Sequence, residues 1–272
     1  FSDGPSSKRI TSLHFDRLKL ALGATTLDLP AGDMDFAADA TLTHIRLDLG
    51  GGAQVVLTPT KDRLGFSVQT GRLTLKALPA LVFDSVLAEG SLDDQGIVLD
   101  KIGLNADGGA ISGLVKIGLS AGKADLAGDL EFKALNAKTV LGRLFPGQVV
   151  DGLLYAKLKV SGSAGSLVEL KDAPVKVSGG YTIKAGSIDR FGVLEGMRRN
   201  DPGVVGGGLV RSESFGGSFS GATGAKASVS FSGLKSGALQ AHGSFTVDPE
   251  GKLAGAVGGF GGRAGPLKLD GA

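Results

Sequence analysis

The chain has 272 residues, of which 46 are Gly and only 9 are Pro, and 42% are hydrophobic. That excludes a collagen-like or Pro-rich chain, and it excludes disorder for want of apolar surface. Lys and Arg number 29 against 27 Asp and Glu, a formal charge of +2, too balanced to imply a nucleic-acid or acidic partner.

The dominant signal along the chain is period 2. Leu13 and Phe15 are followed by Leu18, Leu20 and Leu22, then by Met34, Phe36, Ala38, Ala40 and Leu42, then by Ile45, Leu47 and Leu49. Leu64, Phe66, Val68 and Leu73, Leu75 continue it, as do Ile111 to Leu119 and Ala124 to Phe132. In the second half come Leu154 to Val160, Val175 to Ile183, Ala227 to Phe231 and Leu239 to Val247. Alternation over so many segments predicts half-buried β-strands with one apolar face. The opposite face carries Lys, Asp, Ser and Thr. Turn signals separate the runs, among them Gly50-Gly51-Gly52, Asp93 to Gly96, Asp107-Gly108-Gly109, Ser120 to Lys123 and Asp248 to Gly251. Such residues supply the positive φ that tight antiparallel hairpins need.

Helical spacing is rare. It predicts short helices over 136–144, ended by Phe145-Pro146-Gly147, over 166–170, and over 189–199 with Asp189 as N-cap. The spacing divides the chain into a regular antiparallel region over 1–135, a β region with short helices over 136–257, and a Gly-rich tail over 258–272. We read these as one continuous elongated domain.

An amphipathic sheet has to cover its apolar face. The helices are too few for that, which leaves a sandwich, a partly closed barrel, or a long curved sheet whose apolar face lines a groove. Small residues at inward positions, Gly113, Gly128, Gly179 and Gly243, either leave room for a ligand and permit strong twist or simply fit a tight β-core. The fold class expected is therefore all-β with a few short helices: an elongated, twisted, mainly antiparallel sheet forming an apolar groove or partly closed barrel.

Three stretches carry a family resemblance. KIGLNADGGAISGLVKIGLSAGKADLAGDLEFKALNAKTVLGRLFP (101–146) runs strand, Gly-Gly turn, I-x-G-x-V strand, polar hairpin, strand, short helix. VDGLLYAKLKVSGSAGSLVELKDAPVKVSGGYTIKAGSIDRFGVLEGM (150–197) holds two alternating Gly-bounded strands, each followed by a short helix. SFGGSFSGATGAKASVSFSGLKSGALQAHGSFTVDPEGKLAGAV (214–257) includes Ala241 to Asp248, which is similar to the family's closing strand. Over about 80–257 the chain resembles the C-terminal region of the AsmA-like family. It departs from the family pattern in the Gly-rich VVGGGLV stretch.

The resemblance implies a Gram-negative envelope protein, not an enzyme and without a cofactor. It implies a periplasmic location with an inner-membrane anchor in the full-length protein. It also implies an apolar channel, like that of the repeating β-groove lipid-transfer proteins, for lipids moving toward the outer membrane. The chain starts at Phe1 rather than Met, so we read it as a processed or shortened piece that a signal peptide or anchor could precede. The absence of Cys removes disulfides, thiolate metal sites and Cys nucleophiles.

Other motifs are weaker. Gly118-Leu119-Ser120-Ala121-Gly122 matches G-x-S-x-G, but the chain from Lys123 onward reads as a strand where a nucleophile elbow needs a helix. Gly259 to Ala264 fits a permissive G-x-G-x-x-A without a following helix. Asp33 and Asp35 share a strand face without a Ca²⁺-loop pattern. Arg198-Arg199 suits either a lipid phosphate or a helix C-terminus. His14 and His242 are read as surface residues, and the three His share no short metal-ligand spacing.

These readings converge on a periplasmic lipid-binding or lipid-transfer module that takes acyl chains by passive partitioning. The expected groove-lining residues are Phe36, Leu42, Val115, Ile117, Leu130, Phe132, Leu158, Val160, Val177, Phe231 and Phe245. Alternation alone does not sort groove from ordinary core among them. The expected partners are a phospholipid, sterol or hopanoid, the inner membrane and an envelope protein. The alternative is a structural component of a cell-envelope or type II secretion machine with a dry, packed β-core.

Overall fold

The computed structural model describes residues 10–22, 25–50, 52–75, 78–106, 108–120, 122–141, 149–170, 172–189, 209–236, 239–250, 253–260 and 267–270. The first half of the chain forms β1 (Ser12–Phe15), β2 (Leu18–Leu22), β3 (Thr25–Leu29), β4 (Gly32–Phe36), β5 (Leu42–Gly50), β6 (Ala53–Pro59), β7 (Leu64–Thr70), β8 (Leu73–Leu75), β9 (Leu78–Phe83), β10 (Ser85–Asp93), β11 (Gly96–Ala106), β12 (Gly109–Ser120) and β13 (Lys123–Asn136). Next come a short helix α1 (Ala137–Leu141), β14 (Val149–Ala164), α2 (Leu167–Leu170), β15 (Lys176–Asp189), β16 (Leu209–Ala222), β17 (Ala227–Ser236), β18 (Leu239–Val247), β19 (Leu253–Phe260) and β20 (Leu267–Asp270).

Sixteen of these strands make one antiparallel sheet in the order β1-β4-β5-β6-β7-β10-β11-β12-β13-β14-β15-β16-β17-β18-β19-β20. The sheet is open: β1 pairs with β4 and β20 with β19, and the two end strands do not meet. The β2–β3 and β8–β9 hairpins stand outside it as separate two-stranded pieces. Tight turns explain why neighbours in sequence become neighbours in space. At the β10–β11 turn the Asp93 carboxylate accepts from the backbone N–H of Gln95 at 2.9 Å and of Gly96 at 3.1 Å, an Asx device that fixes the reversal.

The strands alternate in direction, so the sheet has two margins where its turns collect. One margin carries the 93–96, 120–123 and 223–226 turns and α2. The other carries the two extra hairpins and α1. Near that second margin β13, β15 and β17 bulge. In β13 the register shifts between Phe132 and Leu135, with Ala134 at φ 53. In β15 Ala185 has φ 49, opposite the irregularity between Asp151 and Leu153 of β14. In β17 the shift lies between Phe231 and Leu234, with Gly233 at φ 75. An extra residue in a strand bends it locally, and here the three bulges line up on alternate strands.

The core sits beneath this bulged margin. Leu135, Ile183 and Leu234 pack there with Phe83 of β9, Ala137 and Val140 of α1, Leu154, Phe215 and Val257. Asn136 caps α1 by accepting from the Thr139 N–H at 3.2 Å. A second core lies at the N-terminal end, where Leu29 of β3 covers Ile45, Leu47, Leu57 and Leu64.

The expected all-β class and long antiparallel sheet are what the chain forms, and the sheet remains open rather than closing into a barrel. The helix expected over 136–144 is described over Ala137–Leu141, with 142–148 outside the described residues. The helix over 166–170 is α2. Asp189, expected as an N-cap, ends β15 instead, because it pairs with Val149 and Leu209 on either side. The rest of the helix expected over 189–199 lies outside the described residues. The stretch read as a Gly-rich tail contributes the end of β19 and all of β20, since Gly258 and Gly259 pair with His242 and Ala241.

Candidate functional site

Cross-strand register places one set of alternate side chains on a single face. One row runs Leu99, Val115, Gly128, Val160, Val177, Gly221 from β11 to β16. A neighbouring row, toward the bulged margin, runs Gly113, Leu130, Leu158, Gly179, Phe219. On the other side lie Ile97, Ile117 and Leu126. The large apolar members of these rows are half-buried. They belong to none of the buried clusters except for Phe219, which leans on the small Val229–Val247 cluster.

The structure therefore sorts the eleven residues expected to line a groove. Phe231 is buried inside the main core, and Phe132 and Phe245 pack against it. The Phe231 and Phe245 ring centroids are 6.2 Å apart with planes tilted by 52°. Leu42 packs on the N-terminal core and pairs with Phe36. Val115, Ile117, Leu130, Leu158, Val160 and Val177 lie together in the half-buried strip between the main core and the turn-bearing margin. Ile97, Leu99, Leu126 and Phe219 share that strip and were not singled out from the sequence; Leu126 sits in an alternating run, whereas Ile97 and Leu99 flank the apolar Val98.

Gly113, Gly128, Gly179 and Gly243 on this face do not leave room. A Cβ on Gly113 would come within 2.8 Å of Leu130 Cδ2, and one on Gly128 within 3.0 Å of Val160 Cγ2. A Cβ on Gly179 would lie 2.9 Å from Leu158 Cα, and one on Gly243 the same distance from Phe231 Cε1. Side chains of Leu130, Val160 and Phe231 lie over Gly113, Gly128 and Gly243, and the β14 backbone closes the space over Gly179, so at these four positions the tight fit holds.

The opposite face is polar. Lys101 pairs with Glu89 at 3.2 Å, Lys133 and Lys157 with Glu131 at 3.2 and 3.9 Å, and Lys159 with Asp129 at 2.8 Å. The hydrogen bond and charge of Asp129 raise the Lys159 pKa. Two open depressions lie on this face. One, of about 720 Å³, is lined by residues of β13 to β17 including Lys159, Lys176, Lys226 and Ser220. The other, of about 570 Å³, adjoins it through Ser220 and Ser228. Neither was anticipated from the sequence.

Tyr181 belongs to the apolar face. Its hydroxyl donates to the Ser230 carbonyl at 3.0 Å, and burial pushes its pKa up to about 12.

The weaker motifs resolve locally. Ser120 pairs with Lys123 across a hairpin, so the strand–turn–helix context of a nucleophile elbow is absent. The Asp33 carboxylate hydrogen-bonds with His14 Nδ1 at 3.0 Å, and Asp35 pairs with Arg46 at 2.8 Å. Both carboxylates are thus engaged by neighbours, and no metal-binding cluster occurs among the described residues. His14 and His242 are exposed, as expected. Arg198 and Arg199, and Gly261 to Ala264 of the G-x-G-x-x-A stretch, lie outside the described residues. No helix among the described residues is long and apolar enough to cross a membrane. No family model, no curated protein and no solved structure matches the chain.

Proposed function

We propose that the chain is a lipid-binding module that carries hydrophobic lipids between the two membranes of a Gram-negative envelope. The observation that carries this reading is the half-buried strip of Val115, Ile117, Leu130, Leu158, Val160 and Val177, which lies outside both large cores. With Leu99 of β11 and Phe219 of β16 it crosses five inter-strand spacings, about 24 Å. One leaflet of a bilayer core is about 15 Å deep, so the strip is long enough for an acyl chain laid along it. Each CH₂ leaving water for such a surface gains about 0.8 kcal/mol. Uptake is then passive partitioning with no chemical step. The resemblance of 80–257 to the AsmA-like family supports the same reading, with a phospholipid, sterol or hopanoid as cargo and the periplasm as its place of work.

A second reading, a structural component of an envelope or type II secretion machine, draws on the packed half of the same face. There Leu135, Ile183 and Leu234 are fully buried in one cluster with Phe83 of β9 and Ala137 and Val140 of α1. The two readings part at the strip. Native mass spectrometry of the purified protein, followed by solvent extraction, is expected to show a stoichiometric co-purified lipid that Ile117→Asp removes. A lipid-free mass together with no uptake from labelled liposomes would replace lipid transfer with the structural reading. Ile117 is half-buried outside the core, so circular dichroism of the variant separates loss of lipid from loss of fold.

A further inference from the structure

Four lysines of the polar face meet a carboxylate: Lys101, Lys133, Lys157 and Lys159. Lys176, like Lys116 elsewhere on the same face, meets none. Its cross-strand neighbours are Ser161 on β14 and Ala222 on β16. Lys226 projects from the turn after β16 into the same depression. Neither lysine has a carboxylate within ion-pair distance among the described residues.

Four hydroxyls stand between them, beside Ala127, Ala222 and Ala225. Ser178, Ser220 and Ser228 form one continuous cross-strand row with Lys159, and Ser161 lies beside it. None of these four hydroxyls has a hydrogen-bond partner among the described residues. Farther along the same face several such groups are used: Ser218 bonds Ser230 at 2.8 Å, Ser232 donates to the Gly216 carbonyl, and Thr246 donates to the Ala254 carbonyl, while Ser244 has no partner among the described residues. Free hydroxyl donors and unanswered ammonium groups therefore coincide in one place. Three lysines line the depression against one aspartate, Asp129, and that aspartate already holds Lys159. No aromatic side chain lines it, so stacking plays no part.

A ligand that satisfies these groups must be anionic and must offer several acceptor oxygens. We propose that this depression binds a phosphate-bearing ligand, with Lys176 and Lys226 meeting its charge and Ser161, Ser178, Ser220 and Ser228 donating to its oxygens. At about 720 Å³ the depression has room for more than a single phosphate. The ligand is therefore a phosphate carrying a polar body: a phospholipid headgroup or a soluble phosphate compound. The site lies on the face opposite the apolar strip, and its occupancy does not depend on an acyl chain being bound there.

The test is an NMR titration with inorganic pyrophosphate and glycerol phosphate, paired with sedimentation on phosphatidylcholine vesicles with and without phosphatidylglycerol. Saturable shifts at Ser178, Ser220 and Ser228 are expected. The exposed double variant Lys176→Gln/Lys226→Gln is expected to weaken binding about tenfold, as befits the loss of charge-assisted hydrogen bonds. Lys101→Gln/Lys133→Gln removes the same charge from the same face and is expected to change it by less than about twofold, as a screened, distant charge should. Binding of the soluble compounds alone identifies a soluble ligand. Phosphatidylglycerol-dependent sedimentation that the first double variant abolishes identifies a headgroup. Absence of both, or equal weakening by the two double variants, overturns the proposal. Ile117→Asp is expected to leave this binding unchanged, so failure here is distinguishable from failure of lipid uptake.

Discussion

Ala134 and Ala185 hold backbone conformations that a side chain disfavours, with φ of 53° and 49°. A left-handed residue other than Gly costs about 1–2 kcal/mol. Ala134→Gly is therefore expected to stabilise the protein by about 1 kcal/mol, whereas Ala127→Gly, in an ordinary strand position, is expected to cost about 0.5–1 kcal/mol. Urea midpoints of the two variants should move in opposite directions. Tyr181 gives a pH prediction. Its pKa is about 12 in the fold because burial disfavours the phenolate, against about 10 in an unfolded chain. Below pH 10 both states keep the proton and stability does not depend on it. Between pH 10 and 12 the unfolded state loses the proton first, so stability falls as pH rises, by roughly 3 kcal/mol in all. Tyr181→Phe is expected to flatten that part of the profile relative to the native protein, measured by urea unfolding at pH 9 and pH 12.

Most of the elements were legible because period 2 is a direct consequence of strand geometry. The runs Ile111 to Leu119 and Ala124 to Phe132 became β12 and β13 with one face apolar throughout. The bulges were not legible. A bulge usually announces itself by Gly, yet two of the three left-handed positions in this line are Ala. Nor did the pattern tell which strands leave the sheet. The segments that form β2 and β8 alternate as regularly as those that stay, and their hairpins are set apart because Leu29 and Phe83 find apolar surface to cover. The same gap explains the candidate site. Alternation says which face a residue takes but not whether another element covers it. Phe132 and Leu130 read alike in sequence, and only the first reaches the core beneath α1 and β9. The lysine and serine depression was beyond reach for a different reason: it depends on which residues stand across from Lys176, namely Ser161 and Ala222, far away along the chain.

At the scale of the molecule, each face has its own division of labour. Among the described residues the apolar face is packed into a core along one margin and half-buried beside it, and the polar face carries four lysine–carboxylate pairs and one lysine- and serine-lined depression. The register also has a thermodynamic reading. Each strand of the sheet bonds only the strands beside it in the order, so the sheet is a one-dimensional chain of nearest-neighbour couplings, and stability is a sum of local terms. Those couplings are unequal: eleven residue pairs join β12 to β13, but three join β16 to β17, four join β1 to β4 and four join β19 to β20. Native-state hydrogen exchange is expected to be slowest in β12 to β15 and to quicken toward both ends, where a uniform rate would show a single cooperative unit. Unfolding then behaves as fraying from two fronts, and a melting temperature describes the position of those fronts rather than one transition.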